Sequence, residues 1–296
     1  MKYKSKHIVE YLLFRLIAGV VFVLPLRVGL GLAWLVAAGT HFLGRINVER
    51  TRARIRAVFG DQKSEKEVRH IAWIAWRNLC FSAIESIRFP KMTLEKFRKQ
   101  PMAHLEDRLL AAVKACEAGC IIVTPHFGNW EISGIACDLV GVPLFTIVRK
   151  QKNILMNNFI NKMRQSFNLE LLYREARMWK GVTDRLKQGK VLAILPDVNQ
   201  KSGTTVDYLG GRATVPPGAA RFAQMAQCPI FPVVSRRIGW AKHDAILFDP
   251  IFPDPTADKT ADQQRMMQEI MTVFSKEVLK TPEQYFWYNK RWVLDS

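Results

Sequence analysis

The sequence predicts an α/β protein with a mostly parallel central sheet, helices on both faces of that sheet, and an apolar helical segment ahead of it. Two observations predict the sheet. Short apolar runs of strand length alternate with longer stretches of helical length, and no repeat interrupts them. A third observation predicts the leading segment, because residues 1–60 hold ten Lys or Arg against two Glu, and these charges bracket a nearly uncharged stretch.

Residues 1–44 form the predicted membrane anchor. Between Tyr11 and Gly44 the only charged residues are Arg15 and Arg27, and residues 16–26 are almost purely aliphatic. Basic flanks around an uncharged run are typical of a chain attached to an anionic cytoplasmic leaflet. A helix over residues 11–26 is about 24 Å long against a hydrocarbon core of about 30 Å. A single span, a monotopic hairpin and a buried helix pair of a soluble protein therefore all stay open.

The remaining elements follow in chain order. Residues 45–90 are a predicted basic and amphipathic helical segment, in which a helix over 68–89 is closed by Pro90. Residues 91–296 are the predicted α/β domain. Its predicted helices cover 104–118, 130–140, 153–167, 176–188, 216–227 and 259–280, and its predicted strands cover 120–124, 144–148, 191–195, 230–234 and 245–248. Gly119 is predicted to be the C′ glycine of the helix over 104–118.

The charge balance narrows the class of partner. A formal net charge of +18 predicts an anionic partner: nucleic acid, an anionic membrane, phosphorylated substrates or an acidic carrier protein. We predict no nucleic-acid partner, because no zinc-finger spacing, RNP-like motif or basic zipper occurs and the arginine cluster adjoins apolar sequence.

The five cysteines are odd in number and lie in apolar surroundings, which predicts free thiols in a reducing compartment. Cys116 and Cys120 lack a second ligand pair, so we predict no metal site.

The loop after the first predicted strand holds the candidate catalytic residues, since sites in parallel sheets form where strands end. Pro125 ends the strand, Gly128 permits a tight turn, and Asn129 is the predicted N-cap of the next helix. A turn places His126 in the loop and Glu131 in the first helical turn, where its carboxylate reaches the imidazole. We predict His126 as general base with Glu131 as its partner, and helix-start N–H groups as oxyanion donors. The alternative is a histidine hydrogen-bonded in an ordinary turn.

This loop resembles the motif of a histidine, four residues and an acid in the glycerolipid acyltransferases. Its H-F-G-N-W-E form is similar to that of the bacterial lipid A late acyltransferases, the lauroyl and myristoyl transferases. The resemblance covers nearly the whole chain. Further matching stretches are residues 24–26, 39–44, 57–60, 147–150 with Asn153, 161–164, 189–197, 207–212, 217–223 and 282–287.

The resemblance implies a glycerolipid-acyltransferase-like fold that moves an acyl chain from an acyl thioester to a lipid hydroxyl. The implied donor is acyl carrier protein or acyl-CoA, and the implied acceptor is a lipid A precursor or a related glycolipid or phospholipid. The implied location is the inner membrane, with the catalytic domain on the cytoplasmic side. No cofactor is implied, because the thioester is itself a substrate.

The resemblance also implies roles for individual residues. His126 and Glu131 match the catalytic pair, and Arg149 and Arg164 match positively charged positions that contact phosphates. With Asn129 and Asp197 these arginines make up the predicted substrate-binding set. The chain departs from the family pattern at Val198, which follows Asp197 where Gln is common, and near residues 54–55, where an Asn is often found.

The residues themselves agree with that chemistry. A thioester is already activated, so a base and an oxyanion site suffice without a metal or a covalent nucleophile. No G-x-S-x-G, P-loop or dinucleotide fingerprint occurs in the sequence. We expect Arg149 and Arg164 to line the same rim as His126. The alternative function is a catalytically idle, membrane-associated lipid-binding protein.

Overall fold

The computed structural model describes residues 4–165, 167–175 and 178–295. In that part of the chain the helices are α1 (Ser5–Val23), α2 (Leu26–Ala38), α3 (Val48–Phe59), α4 (Glu65–Arg88), α5 (Leu94–Arg98), α6 (Glu106–Lys114), α7 (Trp130–Leu139), α8 (Ile154–Gln165), α9 (Met178–Lys187), α10 (Gly218–Ala226) and α11 (Lys259–Lys280). The strands are β1 (Cys120–Val123), β2 (Leu144–Val148), β3 (Glu170–Tyr173), β4 (Val191–Ile194), β5 (Thr204–Tyr208), β6 (Gly211–Val215), β7 (Ile230–Arg237) and β8 (His243–Leu247).

Six strands form the central sheet in the order β3-β2-β4-β1-β7-β8. The pairs from β3 through β7 are parallel, and β8 pairs antiparallel with β7 at one edge. Parallel neighbours need crossover connections, which the alternating helices supply. The prediction of a mixed α/β fold with a mostly parallel sheet is therefore confirmed. A separate antiparallel hairpin, β5-β6, lies outside this sheet.

The sheet is buried on both sides. Ile121 and Val123 of β1 belong to a large apolar cluster that includes residues of α9, α10 and α11, whereas Cys120 and Ile122 face a second cluster that includes residues of α6 and α7. This alternation explains why β1 is apolar at every position. Ile55 of α3 lies in the first cluster, so residues 45–90 pack into the same core as the sheet. The division into three segments stays a prediction.

Some element boundaries differ from the predictions. Helix α6 ends at Lys114, so the predicted helix over 104–118 is too long, and a 3₁₀ turn over Pro101–Leu105 precedes it. Gly119 is not a C′ residue. Its φ of +66° belongs to the turn into β1, where a Cβ would collide with the Leu186 and Lys190 carbonyls. The first two residues of the predicted helix over 176–188 lie outside the described residues.

Two strand regions escaped prediction. Strand β3 is a half-buried edge strand of four residues and has no long apolar run. The β5-β6 hairpin mixes buried and exposed positions around a turn at Leu209–Gly210, where both residues have positive φ. Short strands that carry polar residues produce little periodic signal in a sequence.

Helices α1 and α2 form a hairpin along α4. Ala18 of α1 shares an apolar cluster with Ile87, and Leu30 of α2 shares another with Phe81. The opposite sides of the two helices expose apolar side chains, namely Val9, Leu12, Leu13, Leu16, Ile17, Val20, Val23, Val28, Leu32, Leu35 and Val36. Helix α2 continues through a π-helical turn over Gly39–Leu43, and among the described residues this one stretch, Leu26–Leu43, is long and apolar enough to cross a membrane, which is weak evidence for an anchor.

Candidate active site

The carboxyl ends of β1 and β4 meet at the centre of the sheet. These strands are parallel neighbours with Val123 paired to Ile194, so the loops that follow them emerge side by side. His126 lies in the loop after β1, and Asp197 lies in the loop after β4. Residues 71 positions apart in the chain are thereby brought into contact.

Asp197 holds the imidazole of His126. Its Oδ1 lies 2.8 Å from His126 Nδ1, and its Oδ2 accepts a hydrogen bond of 2.8 Å from the His126 backbone N–H. The Asp197 side chain is completely buried, whereas 20% of the His126 side chain is exposed. A carboxylate on Nδ1 selects the tautomer in which Nδ1–H donates, so Nε2 carries the lone pair available for a substrate proton.

The main chain around His126 is tied to the C-terminal segment. The Phe286 N–H donates to the His126 carbonyl over 2.8 Å, and the Gly128 N–H donates to the Gln284 carbonyl over 2.8 Å. Gly128 has φ +58°, and a Cβ there would collide with the Ser235 carbonyl. The turn predicted at Gly128 is therefore present, and only glycine fits it.

Two aromatic rings flank the imidazole. The centroid of the His126 ring lies 5.0 Å from that of Trp130 and 6.2 Å from that of Phe286. Trp130 and Phe286 stack on each other at 5.8 Å. The imidazole is thus confined between aromatic faces and the buried carboxylate.

The structure pairs Glu131 with a guanidinium. Glu131 Oε1 accepts a hydrogen bond of 2.7 Å from Arg164 Nη2, and each side chain is about one-third exposed. Among the described residues no hydrogen bond or ion pair joins Glu131 to the imidazole, so the His126–Glu131 pair stays a prediction. Glu131 opens α7 and meets α8, while the acid that reaches the ring comes from β4. Asp197, predicted to contact substrate, is instead buried beneath the imidazole.

Two buried phenols lie near Asp197. Burial and then the negative charge of Asp197 raise the pKa of Tyr208 well above its usual value. Burial, Tyr208 and Asp197 together raise the pKa of Tyr285 in the same way. Both phenols therefore remain protonated and neutral beside Asp197.

Asn129 connects the His126 loop to helix α4. It occupies the N-cap position of α7 but makes no capping bond with its side chain. Its Nδ2 instead donates to Glu85 Oε2 over 2.6 Å, and the residue is only 1% exposed. The prediction that Asn129 is the N-cap residue of α7 is confirmed, although its amide bonds to the buried acceptor on α4 instead of capping the helix. Its contact with substrate stays a prediction.

Glu85 is the centre of a buried charged cluster. Arg237 donates to both of its carboxylate oxygens over 2.8 and 2.6 Å, and His243 Nε2 lies 3.0 Å from Oε1. Burial by itself raises the pKa of Glu85, but His243 and Arg237 outweigh burial and lower it to about 2. The cluster joins α4, β7, β8 and the His126 loop through Asn129.

An apolar cavity of about 530 Å³ opens beside His126. Its size falls within the range of about 300–1,000 Å³ that is common for ligand pockets. The wall is formed by β-sheet and helix side chains, including Phe14, Phe89, Phe97, Met102, Ile122, Leu144, Val148, Leu195, Val233 and Leu247, and its polar positions include Glu131 and Arg164. The cavity therefore presents an apolar interior with His126 and the Glu131–Arg164 ion pair in its wall.

The two predicted phosphate-binding arginines lie in different surroundings. Arg164 lines the cavity and pairs with Glu131. Arg149 is exposed just beyond Val148, outside the cavity wall, where its charge acts on Arg291. The structure thus places Arg164 in the wall that His126 shares and Arg149 beyond it.

The described residues contain no group of three His, Cys, Asp or Glu side chains arranged to hold a metal ion. All five cysteines are free, as the sequence predicts.

Comparison with known proteins decides the family. The family model described as bacterial lipid A biosynthesis acyltransferase matches residues 2–293. The chain belongs to this family. It is therefore an acyltransferase, and the resemblance seen in the sequence is confirmed. A lipid acceptor and an acyl donor follow from the family, and the apolar N-terminal helices are compatible with membrane association.

Curated relatives are distant. A phosphatidylinositol mannoside acyltransferase of Mycolicibacterium smegmatis is 22% identical over 217 residues, which cover 71% of this chain and 68% of the relative. A phosphatidylinositol mannoside acyltransferase of Mycobacterium tuberculosis is also 22% identical, covering 71% of this chain and 66% of the relative. A lipid A biosynthesis acyltransferase of Haemophilus influenzae is 23% identical, covering 63% of this chain and 56% of the relative.

Several features of this candidate site were not predicted from the sequence. Asp197 was assigned to substrate rather than to the imidazole, and Tyr208, Tyr285, Glu85 and Arg237 were not assigned to the site. The matching stretch at residues 282–287 was the available signal for Tyr285, since it lies far from the His126 loop in sequence. Nothing in local spacing indicates the buried cluster around Glu85.

Proposed function

We propose that this acyltransferase moves a fatty acyl chain from an acyl thioester, on acyl carrier protein or coenzyme A, to a hydroxyl of a lipid A precursor or a related glycolipid or phospholipid. One observation carries the proposal: an imidazole held at Nδ1 by a buried carboxylate stands in the wall of an apolar cavity. Relatives named for lipid A and for phosphatidylinositol mannoside support an acceptor that carries a sugar.

In the proposed reaction His126 is the general base. Its Nε2 takes the proton of the acceptor hydroxyl while that oxygen attacks the thioester carbonyl. Asp197 stabilises the imidazolium, as the third member of a catalytic triad does. The C–S bond then breaks, the ester forms, and the imidazolium returns the proton to the leaving thiolate. The reaction needs no cofactor, because the thioester is already activated.

The cavity supplies the place for the acyl chain. Its apolar wall suits a hydrocarbon, and its polar positions lie close to the first turn of α7. The unbonded N–H groups of a helix start stabilise the oxyanion that develops on the carbonyl. In this proposal Glu131 does not act as the partner of His126. Its ion pair with Arg164 orients polar groups of the substrates beside the imidazole.

We infer that the α1–α2 hairpin lies in the plane of the membrane surface. Each helix buries one side against α4, so only the opposite apolar side is left for lipid. Arg88 donates to the Val21 carbonyl over 2.8 Å and Lys91 to the Phe22 carbonyl over 2.6 Å, which ties the end of α1 to charged side chains at the end of α4 and just beyond it. Such an attachment suits a monotopic hairpin better than a span.

The same inference proposes how lipid reaches the cavity and on which side of the membrane the catalytic domain lies. Phe14 of α1 lines the cavity, so the cavity reaches the helix that contacts lipid. The basic residues that bracket the hairpin suit the anionic cytoplasmic leaflet, and an acidic carrier protein suits a chain of charge +18. We therefore propose attachment to the inner membrane with the catalytic domain on the cytoplasmic side.

Acyl transfer is tested with the full chain purified in detergent. The enzyme is incubated with acyl-CoA or acyl-carrier protein and a bacterial lipid extract, and mass spectrometry follows acylated products. We expect a product with wild type and none with His126→Ala. An idle lipid-binding protein would bind lipid equally in both forms and release no product, and that result would refute the proposal.

Attachment is tested by flotation with anionic vesicles. Leu16→Glu combined with Leu35→Glu places two charges on the outer sides of α1 and α2, and we expect the bound fraction to fall severalfold. Leu279→Glu, an exposed leucine of α11, is the matched control and should still float. Equal flotation of all three proteins would show that the hairpin does not carry attachment.

A further inference from the structure

Three arginines lie along the carboxyl edge of the sheet. Arg149 follows β2, and Arg174 follows β3. Val148 and Tyr173 are paired in register, and the Arg174 N–H donates to the Val148 carbonyl over 3.0 Å, so the two arginines are neighbours on adjacent strands. Arg291 joins them from the C-terminal segment, because it is bonded to Asn199 in the loop after β4, the strand that lies beside β2.

Arg291 is anchored to the catalytic loop. Its Nη2 donates to the Asn199 carbonyl over 2.6 Å, and its own carbonyl accepts a bond of 3.1 Å from the Asn199 N–H. Asn199 lies two residues after Asp197, the residue that holds the imidazole. Because the sheet order is β3-β2-β4-β1, the edge runs from Arg174 past Arg149 and the Asn199 loop to His126.

The charges of this arginine cluster are not neutralised. In the part of the chain that the structure describes, no carboxylate forms an ion pair with Arg149, Arg174 or Arg291. The neighbouring Glu175 is 3.5 Å from Lys150 instead. Burial lowers the pKa of Arg291, and the positive charges of Arg149 and Arg174 lower it further. Holding like charges together costs free energy, which a multivalent anion offsets.

We propose that Arg149, Arg174 and Arg291 form the binding site for a phosphate group of a substrate. The proposal rests on the acyltransferase function and deepens it. It also revises the expectation that Arg149 and Arg164 act together, since Arg164 is paired with Glu131. Guanidinium forks bind phosphate oxygens bidentately, and three unpaired arginines along one stretch of the carboxyl edge suit a phosphate dianion. An acidic protein surface would be matched by charges spread more widely.

Two sources carry the same phosphate chemistry: the coenzyme of the donor and the phosphorylated sugar of the acceptor. Isothermal titration calorimetry of the full chain in detergent separates them. One arm compares 4′-phosphopantetheine with pantetheine, and the other compares glucosamine 1-phosphate with glucosamine. We expect one phosphorylated probe to bind at least tenfold more tightly than its phosphate-free counterpart.

Arg174→Gln and Arg291→Gln should each remove that preference, and Arg174→Lys should restore part of it, because an ammonium keeps the charge without the fork. Arg108→Gln is the matched control. Arg108 lies 3.5 Å from Asp249. Asp249 follows β8, which runs antiparallel to the other strands, so it lies at the end of the sheet opposite to the carboxyl ends of β1–β4. The preference of this control should equal that of wild type.

The binding measurements distinguish failure of the arginine cluster from failure of the proposed acyl transfer. His126→Ala should lose turnover and keep the phosphate preference, so binding tests the arginine cluster even if transfer fails with every donor. The proposal is overturned if neither phosphate is preferred, or if Arg108→Gln loses the preference equally. It is also overturned if the Gln variants weaken only the binding of acyl carrier protein, which would identify a protein-docking surface.

Discussion

Two carboxylate–imidazole pairs lie in this molecule, and their surroundings differ. Asp197 holds Nδ1 of His126 at 2.8 Å, while Glu85 lies 3.0 Å from Nε2 of His243. The His126 side chain is 20% exposed and lines a cavity, whereas that of His243 is 1% exposed. The carboxylate–imidazole pair at His126 is therefore accessible from the cavity, whereas the pair at His243 is buried.

The two carboxylates also differ in charge compensation. Glu85 receives a bidentate guanidinium from Arg237 as well as the imidazole. Among the described residues, no Lys or Arg forms an ion pair with Asp197. In the proposed reaction a positive charge on His126 would meet a carboxylate without a cationic partner, whereas Glu85 already has the guanidinium of Arg237. The comparison teaches that an accessible ring nitrogen and an acid without a cationic partner distinguish the pair we propose as catalytic from the buried pair around Glu85.

The largest contrast is expected between alanine replacements of the two histidines. His126→Ala should lower turnover by about 10²–10⁴-fold, the usual contribution of general-base catalysis, with an unchanged unfolding temperature. His243→Ala should lower the unfolding temperature and leave turnover per folded molecule within a few-fold of wild type. Steady-state assays and thermal unfolding of both variants check this. Retention of more than about a tenth of turnover by His126→Ala would exclude the general-base role.

The next contrast concerns the two acids near the loop. Asp197→Asn should reduce kcat by about 10²-fold or more, because the amide neither selects the tautomer nor stabilises the imidazolium. Glu131→Gln should raise the KM of a substrate more than it lowers kcat, since Glu131 contacts Arg164 rather than the ring. A larger loss of kcat in Glu131→Gln than in Asp197→Asn would restore Glu131 as the functional partner of His126.

A third contrast measures stability. Glu85→Gln leaves the buried Arg237 without its counter-charge and should lower the free energy of unfolding by about 3–5 kcal/mol. Glu170→Gln removes a carboxylate that pairs with Arg185 and Lys190 but is one-third exposed, and should cost at most about 1 kcal/mol. Denaturant titration in detergent compares the two. Similar losses in both variants would show that burial does not set the strength of the Glu85 cluster.

The smallest effect is a dependence on acid pH. The pKa of Glu85 is lowered from about 4.5 in the unfolded chain to about 2 in the fold. The stabilisation is therefore fully present above pH 4.5 and is lost as pH falls towards 2. Unfolding temperatures measured across that window should fall less steeply for Glu85→Gln than for wild type. Parallel curves for the two proteins would contradict the lowered pKa.

Prediction from sequence succeeded where local pattern decides structure. The strand over 144–148 and the helix over 259–280 have the predicted bounds. The strand is a short apolar run, and the helix repeats apolar residues at the helical period. The turn at Gly128 was predictable from the residue types of the loop. Strand β3 and the β5-β6 hairpin lack such patterns, and they became visible only in the fold.

The sequence by itself determined the kind of sheet, the loop that presents His126 and the family to which the chain belongs. Only the tertiary structure decided which carboxylate is hydrogen-bonded to the imidazole of His126. Glu131 is five residues from His126, and Asp197 is 71 residues away, yet β4 lies beside β1 and delivers Asp197 to the ring. The same long-range packing brings Glu85 to Asn129 and Arg174 to Arg149. The physical reason is that spacing along a chain limits only local contacts, whereas strand order and burial select the partners of a charged group.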